Sequence, residues 1–337
     1  MVAAVLAAQT PTRATALYGD IDTKYIAPTG EFASIPWGRV GFRTYGTSTP
    51  PAWPISPNWA LRAHHAAGGV TGYDIEQNGV FYNVVQSVRV ANSDLELVRV
   101  SQPFSSFFNM YRGQDEIGKE LVLFGSNRQS KSVEVRSEGT NRFNGWYITG
   151  QPLPPNPGED ARLNWGRNRV HDYVNVFGTE TLYATFDAPS TPGSMGDDEG
   201  IAYNGDSSGA FFIQQAGEWR LAGIIYAVDA AYFREKDTQI NLGAIFDARD
   251  LWEDVPVDPA FPNGPKRRVR ITGDGPVPFG SYASRISTYR GSIDTITQET
   301  ADLGLVVVPE PGAGLLMLLG TGGGLVVAGI VRRRRGA

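Results

Sequence analysis

Apolar and aromatic residues recur along the chain in short bursts separated by Gly, Pro and polar positions: GRVGFRTYG, GVFYNVVQSVRVA, LELVRVSQP, KELVLFGS, KSVEVRS, GWYITGQ, YVNVFG, TLYATFD, GAFFIQQ and WRLAGIIYAV. Runs of this length, rich in β-branched and aromatic residues and broken by turn residues about every 8–12 positions, predict antiparallel strands closed into barrels or stacked as sandwiches. No long stretch carries the 3.6-residue period of an amphipathic helix, so the body reads as all-β. Longer breaks fall at residues 152–158 (PLPPNPG) and 191–199 (TPGSMGDDE), the second acidic and suited to the rim of a pocket. The Pro/Gly-rich stretch 253–300 is open to three readings: completing a barrel, forming a spacer, or packing on the body. Its basic run, Lys266, Arg267, Arg268 and Arg270, reads as a solvated face or linker.

One segment breaks the β pattern. Residues 312–331 (GAGLLMLLGTGGGLVVAGIV) carry no charge and are followed at once by Arg332, Arg333, Arg334 and Arg335. As a helix rising 1.5 Å per residue this run covers about 30 Å, the thickness of a bilayer core, which predicts a transmembrane helix with the Arg block on the cytoplasmic side. At the other end, residues 1–20 open on an apolar run without a basic region. They read either as a frayed N-terminus or as a signal peptide lacking its beginning.

Composition then narrows the function. The 337 residues allow two domains or one large β domain with tails. With 40 Gly and 22 Pro lacking a three-residue period, coiled coil and collagen are excluded. The formal charge is −5; residues 309–337 hold one Glu and four Arg, so residues 1–308 carry −8, a poor match for nucleic acid. Without Cys there is no disulfide, thiolate metal site or thiol nucleophile, and any imidazole chemistry falls to His64, His65 or His171. No H-E-x-x-H helix, calcium-loop spacing or phosphate-binding glycine loop is present, so neither a metal nor an organic cofactor is expected.

The chemistry concentrates at Gly205-Asp206-Ser207-Ser208-Gly209, between a Gly/Asp-rich loop and the apolar run AFFIQQ. Acyl transfer needs a hydroxyl on a tight turn beside backbone N–H groups that receive an oxyanion, and small residues permit that turn. Serine also needs a base, offered by His64-His65 at the end of Asn58-Trp59-Ala60-Leu61-Arg62-Ala63, and the base needs a carboxylate to hold its tautomer. Asp94, opening the alternating segment DLELVRV, supplies one; Asp74 is a fallback, and His171 is an alternative base.

In the order His, Asp, Ser these stretches resemble the trypsin-like (chymotrypsin-fold) serine peptidases. Ile55 to His65 is similar to the family segment ending Thr-Ala-Ala-His and puts the base at His65, one residue from His64. Asp94-Leu95-Glu96-Leu97-Val98-Arg99-Val100 resembles Asp-Ile-Ala-Leu-Leu-Arg-Leu, and Gly205 to Ala210 resembles Gly-Asp-Ser-Gly-Gly-Pro. The resemblance covers roughly residues 35 to 250. It departs from the family at Arg62 (a Thr there), His64 (an Ala) and Ser208 (a Gly), and no activation-cleavage site partners Asp206.

The resemblance implies a double antiparallel β-barrel and a serine endopeptidase acting on protein or peptide substrates through an acyl-enzyme. Its catalytic residues would be His65, Asp94 and Ser207, with an oxyanion hole at the N–H groups of Gly205 and Ser207. The primary pocket would be formed by Ile201, six residues before Ser207, with Tyr226, Ala227 and Val228; an Ile at that position disfavours Lys or Arg and favours small or apolar side chains. Separately, Val308-Pro309-Glu310-Pro311, the apolar run and the Arg cluster resemble the PEP-CTERM sorting signal. That likeness implies export in a Gram-negative bacterium, an exosortase-type partner, a membrane-anchored tail open to removal, and a cell-envelope or extracellular location. The expected organisation is a terminal segment 1–20, a peptidase domain 21–252, an extension 253–308 and a sorting signal 309–337. Competing readings are an inactive trypsin-fold binding module, an envelope structural protein, and an esterase, whose usual Ser-Asp-His order differs.

Overall fold

The computed structural model describes residues 27–302 apart from 36, 45–49, 67–70, 126–131, 149–162, 203–204, 230–231, 236–237, 241–242 and 259–263, together with 16–17 and 326–327. After β1 (Ala16–Leu17), six strands form a closed barrel: β2 (Gly41–Arg43), β3 (Pro51–Pro54), β4 (Trp59–Ala63), β5 (Asp74–Gln77), β6 (Val80–Arg89) and β7 (Leu95–Val100). Around the ring they run β2-β3-β4-β7-β6-β5. The second half begins with β8 (Glu120–Gly125), β9 (Ser132–Arg136), β10 (Phe143–Ile148), β11 (Asn164–Arg169), β12 (Asp172–Val176) and β13 (Thr179–Thr185). It continues through β14 (Gly200–Ile201), β15 (Ala210–Gln215) and β16 (Glu218–Asp229). The last strands are β17 (Tyr232–Glu235), β18 (Thr238–Ile240), β19 (Gly243–Ile245), β20 (Trp252–Pro256), β21 (Lys266–Arg270) and β22 (Gly280–Arg285). Helix α1 (Ile286–Asp302) follows, and β23 (Val326–Val327) pairs in parallel with β16.

Turn chemistry explains much of this local pairing. Asn78-Gly79, Phe177-Gly178 and Ala216-Gly217 each put two left-handed residues between paired positions, the twist that suits a two-residue hairpin. β4 is buried along its whole length, as a near-continuous apolar run requires. The main sheet of the second half runs β11-β8-β15-β16-β22-β13-β12 with β23 beside β16, so β22, from the stretch 253–300, is an interior strand bonded to both β16 and β13. Its end carries Arg285, which bonds to the fully buried Glu116 through Nε at 3.1 Å and Nη2 at 2.8 Å, while Ser287 donates to the same carboxylate. Burial alone would raise Glu116, but these bonds and the Tyr173 hydroxyl hold it below its ordinary range.

A shared core joins the halves. Trp53, Leu61 and Leu97 of the barrel pack with Val122, Phe124, Ala210, Phe212 and Ile224 of the sheet, and Ile286, Tyr289 and Ile293 of α1 join them. The candidate chemistry sits at this seam.

Two expectations are corrected. Among the described residues only the six-stranded barrel closes; the larger ladder ends at β11 and β12, so the fold is not a double barrel. The separate sheet β19-β10-β9 instead covers the ladder through side chains, with Val135, Ala244 and Ile245 against Leu121, Phe186 and Ile213. Alternation of apolar and polar residues encodes which face a strand buries, whereas closure needs tilt and stagger to sum correctly around a ring, which no short segment specifies. The expected C-terminal membrane helix is the second correction. No helix among the described residues is long and apolar enough to cross a membrane, and the only described residues within 312–331, Val326–Val327, are a strand. The membrane partner, the sorting enzyme and the envelope location all depended on that helix and have no support in the fold; the rest of 303–337 and most of 1–20 lie outside the described residues.

Candidate active site

Three motifs far apart in sequence meet at the seam. β4 ends at Ala63 and delivers His64 and His65 just beyond the barrel rim; the β6–β7 hairpin delivers Asp94 immediately before Leu95, which pairs with Ala63. The hairpin is stiffened by Ser93, whose hydroxyl donates to Val90 O at 2.8 Å and accepts from the Leu95 N–H at 3.1 Å. Asp94 then holds His65 at two points: Oδ1 accepts the backbone N–H of His65 at 3.0 Å, and Oδ2 lies 2.6 Å from the ring nitrogen Nδ1. Asp94 O also accepts the His64 N–H at 2.7 Å. On the opposite side of the ring, His65 Nε2 and Ser207 Oγ are 2.7 Å apart. Asp94 is buried, while His65 and Ser207 remain partly open to solvent.

The turn bearing Ser207 has its own geometry. Gly209 must be glycine, since a Cβ there would meet Phe124 O at 2.3 Å and Ile225 Cδ1 at 2.6 Å. Ser208 is left-handed at φ 72, a conformation costing a non-glycine residue about 1–2 kcal/mol. The turn is nevertheless tied down: the Gly209 N–H donates to Asp206 O at 2.8 Å, and the Ser208 N–H to Ile225 O at 3.1 Å. Gly205 stands at φ 110 and Asp206 is fully buried.

The residues beside His65 belong to a second polar group. Arg62 Nε donates to Glu96 Oε2 at 2.6 Å, with both residues buried, and Arg62 also donates to the Tyr73 hydroxyl. His64 Nδ1 lies 3.4 Å from Glu96 Oε1, which accepts from Ser87 Oγ. Burial would raise Glu96, but the bonds from His64, Ser87 and Arg62, with the Arg62 charge, hold its carboxyl below the usual range. Burial likewise pushes the Tyr73 hydroxyl up to about 12. Sequence reasoning passed over Glu96; the one local hint was the Arg inside the apolar run WALRA, a charge that needs a partner when buried.

The remaining candidates are placed as follows. His171 lies 3.2 Å from Asp187 and bonds to Thr185, and Asp74 bonds to Thr44 and Asn83, so neither joins the cluster at Ser207. Ile201 is fully buried and packs with Leu182, Phe186, Ile225 and Val228; Tyr226 and Ala227 pack with Val176, Tyr183 and Tyr282. A register shift between Ile225 and Ala227 lets these neighbours face different clusters. Tyr226 additionally sets its ring 5.7 Å from that of His65, and burial, helped by the Asp94 charge, pushes its hydroxyl up to about 12. Ser281 of β22, not foreseen from sequence, accepts the Ala202 N–H at 3.0 Å and clamps the residue after Ile201. Among the described residues no cluster of His, Asp and Glu is arranged to hold a metal ion.

Glu199, two residues before Ile201, is the most perturbed carboxyl near the turn. The N–H groups of Met195, at 2.6 Å, and Asp187, at 3.2 Å, donate to it and favour its charge, yet burial outweighs them and pushes it up to about 8. A carboxyl raised from 4.5 to about 8 stabilises the fold fully below 4.5 and loses that contribution as pH rises through 8, by at most about 1.4 kcal/mol per pH unit. Urea unfolding of the parent and Glu199→Gln at pH 5 and pH 8 checks this: the parent should lose stability relative to the variant at the higher pH. Parallel pH slopes would show that Glu199 is ionised in the fold.

No protein-family model matches the sequence, and no curated relative matches it. Solved structures are similar at a distance. Kallikrein-related peptidase 10 is 10% identical with a TM-score of 0.40, covering 81% of this chain and 100% of its own. HL collagenase is 12% identical with a TM-score of 0.43, covering 77% and 92%. An inactive form of the Rv3671c protease is 13% identical with a TM-score of 0.32, covering 57% and 78%.

Proposed function

We propose that the chain is a serine endopeptidase of the trypsin-like kind, with Ser207 as nucleophile, His65 as general base and Asp94 as the carboxylate that orients it. The observation carrying this reading is the bridging position of His65, 2.6 Å from Asp94 on Nδ1 and 2.7 Å from Ser207 on Nε2. A serine hydroxyl becomes a competent nucleophile when a neutral imidazole accepts its proton, and a buried carboxylate on the far nitrogen fixes that tautomer. Ser207 attacks the peptide carbonyl while His65 takes its proton; the tetrahedral oxyanion is received by the Gly205 and Ser207 N–H groups. His65 then gives the proton to the leaving amine as the peptide C–N bond breaks; water attacks the acyl-enzyme with His65 again as base, and collapse breaks the Ser207 Oγ–acyl bond, releases the acid and returns the proton to Ser207 Oγ. Loss of one oxyanion donor in such a site costs about 3–4 kcal/mol of transition-state stabilisation. With Ile201 six residues before Ser207, no carboxylate stands at that position to pair with Lys or Arg, which favours a small or apolar side chain before the scissile bond.

Treatment with a fluorophosphonate, followed by mass spectrometry of the digest, tests this reading. The adduct is expected on Ser207 alone. A folded protein that takes no label, or takes it elsewhere, overturns the assignment.

A further inference from the structure

Resting on that reading, we infer that the Ser208 side chain is a positioning residue: its hydroxyl fastens the nucleophile turn to the end of the strand that carries the base. Ser208 is fully buried, and the Ala63 N–H donates to its Oγ at 2.9 Å. Ala63 is the last residue of β4, two before His65. The β3–β4 register pairs Pro54 with Ala60 and Trp53 with Leu61, so Ala63 lies beyond it. The next N–H along, that of His64, is taken by Asp94 O. The Ser208 hydroxyl therefore meets a buried donor just where the strand stops having a neighbour on that side, and a buried N–H left unmet is costly.

The backbone of the same residue completes the tie. Trp53 Nε1–H donates to Ser208 O at 2.6 Å, and the Ser208 N–H donates to Ile225 O. One residue thus touches β3, β4 and β16, linking the barrel to the sheet beside the 2.7 Å gap between His65 and Ser207. Glycine would suit φ 72 better but cannot supply the hydroxyl. A serine in this position exchanges backbone ease for a fixed distance between base and nucleophile.

The two demands separate in Ser208→Gly and Ser208→Ala. Fluorophosphonate labelling rates, amide exchange at Ala63 and the proton resonance of His65 Nδ1–H are followed in the full chain. Both variants are expected to label about ten- to a hundredfold more slowly than the parent, as for a misplaced catalytic pair, with faster Ala63 exchange. If Ser208→Gly labels as fast as the parent, only the backbone of residue 208 matters and the inference is overturned. If the parent takes no label, the peptidase reading fails on its own. The positioning role then stands if both variants release the Ala63 amide and shift the His65 resonance, and falls if neither changes.

Discussion

Asp94→Asn is expected to lower kcat for peptide hydrolysis by about 10⁴-fold while leaving KM and unfolding midpoint almost unchanged. The carboxylate meets His65 through two hydrogen bonds, one at the backbone N–H and one at Nδ1. An Asn of the same shape keeps the first bond through its carbonyl oxygen and presents an amide N–H to Nδ1. That donor selects the tautomer with its proton on Nε2, and Nε2 can then no longer accept from Ser207 although the 2.7 Å spacing is preserved. Fluorophosphonate labelling should slow in parallel, because it too needs the serine deprotonated. The split between kcat and KM is the diagnostic, since a merely loosened fold would disturb binding and unfolding as well. A loss smaller than about tenfold would mean that Asp94 does not set the tautomer and would overturn its assignment as the orienting carboxylate.

How far the site is readable from sequence depends on how local each feature is. Gly205 to Gly209 declares itself because a tight turn, a small-residue requirement and a hydroxyl coincide within five residues, and the contact at Gly209 explains one of those requirements. His65 and Asp94 can be singled out because each adjoins a short buried strand, and those strands pair directly with Ala63 opposite Leu95. The pairing that brings Glu96 to Arg62 depends on the same register, and one residue of slip would undo it; no pattern within either strand reveals it. Ser208 was legible as a departure but not as a bond, since its partner, Ala63, lies 145 residues away. Long-range order is likewise why β22 emerges as an interior strand from a stretch whose composition admits a spacer. It is also why, among the described residues, the second half forms no closed ring where two barrels were expected.

Arg62→Met is expected to cost about 3–5 kcal/mol of folding stability at pH 7, a large share of the total for any domain, because it strips the guanidinium from a carboxylate with no access to water. Glu96 is 1% exposed and its Oε2 receives Arg62 Nε at 2.6 Å. The bonds from His64 and Ser87 remain but go to the other oxygen, Oε1, so they do not replace what is lost. The pH dependence follows from the lowered Glu96 value. A carboxyl depressed in the fold contributes its stability above the unfolded value, near 4.5, and loses it as pH falls through the folded value. Parent and Arg62→Met should therefore differ most near neutrality and converge in acid, as read from urea midpoints. Arg62→Met with Glu96→Leu removes both charges and should recover most of the loss, since an apolar pair of similar volume is commonly no worse than a buried ion pair. Failure of the double variant to recover would assign the cost to packing of the Arg62 stem and its stacking on Tyr73, 5.1 Å away, instead of to charge. Either way the loss falls on β4, the strand whose end carries His65, so labelling of Ser207 by a fluorophosphonate should slow in the single variant before the protein unfolds.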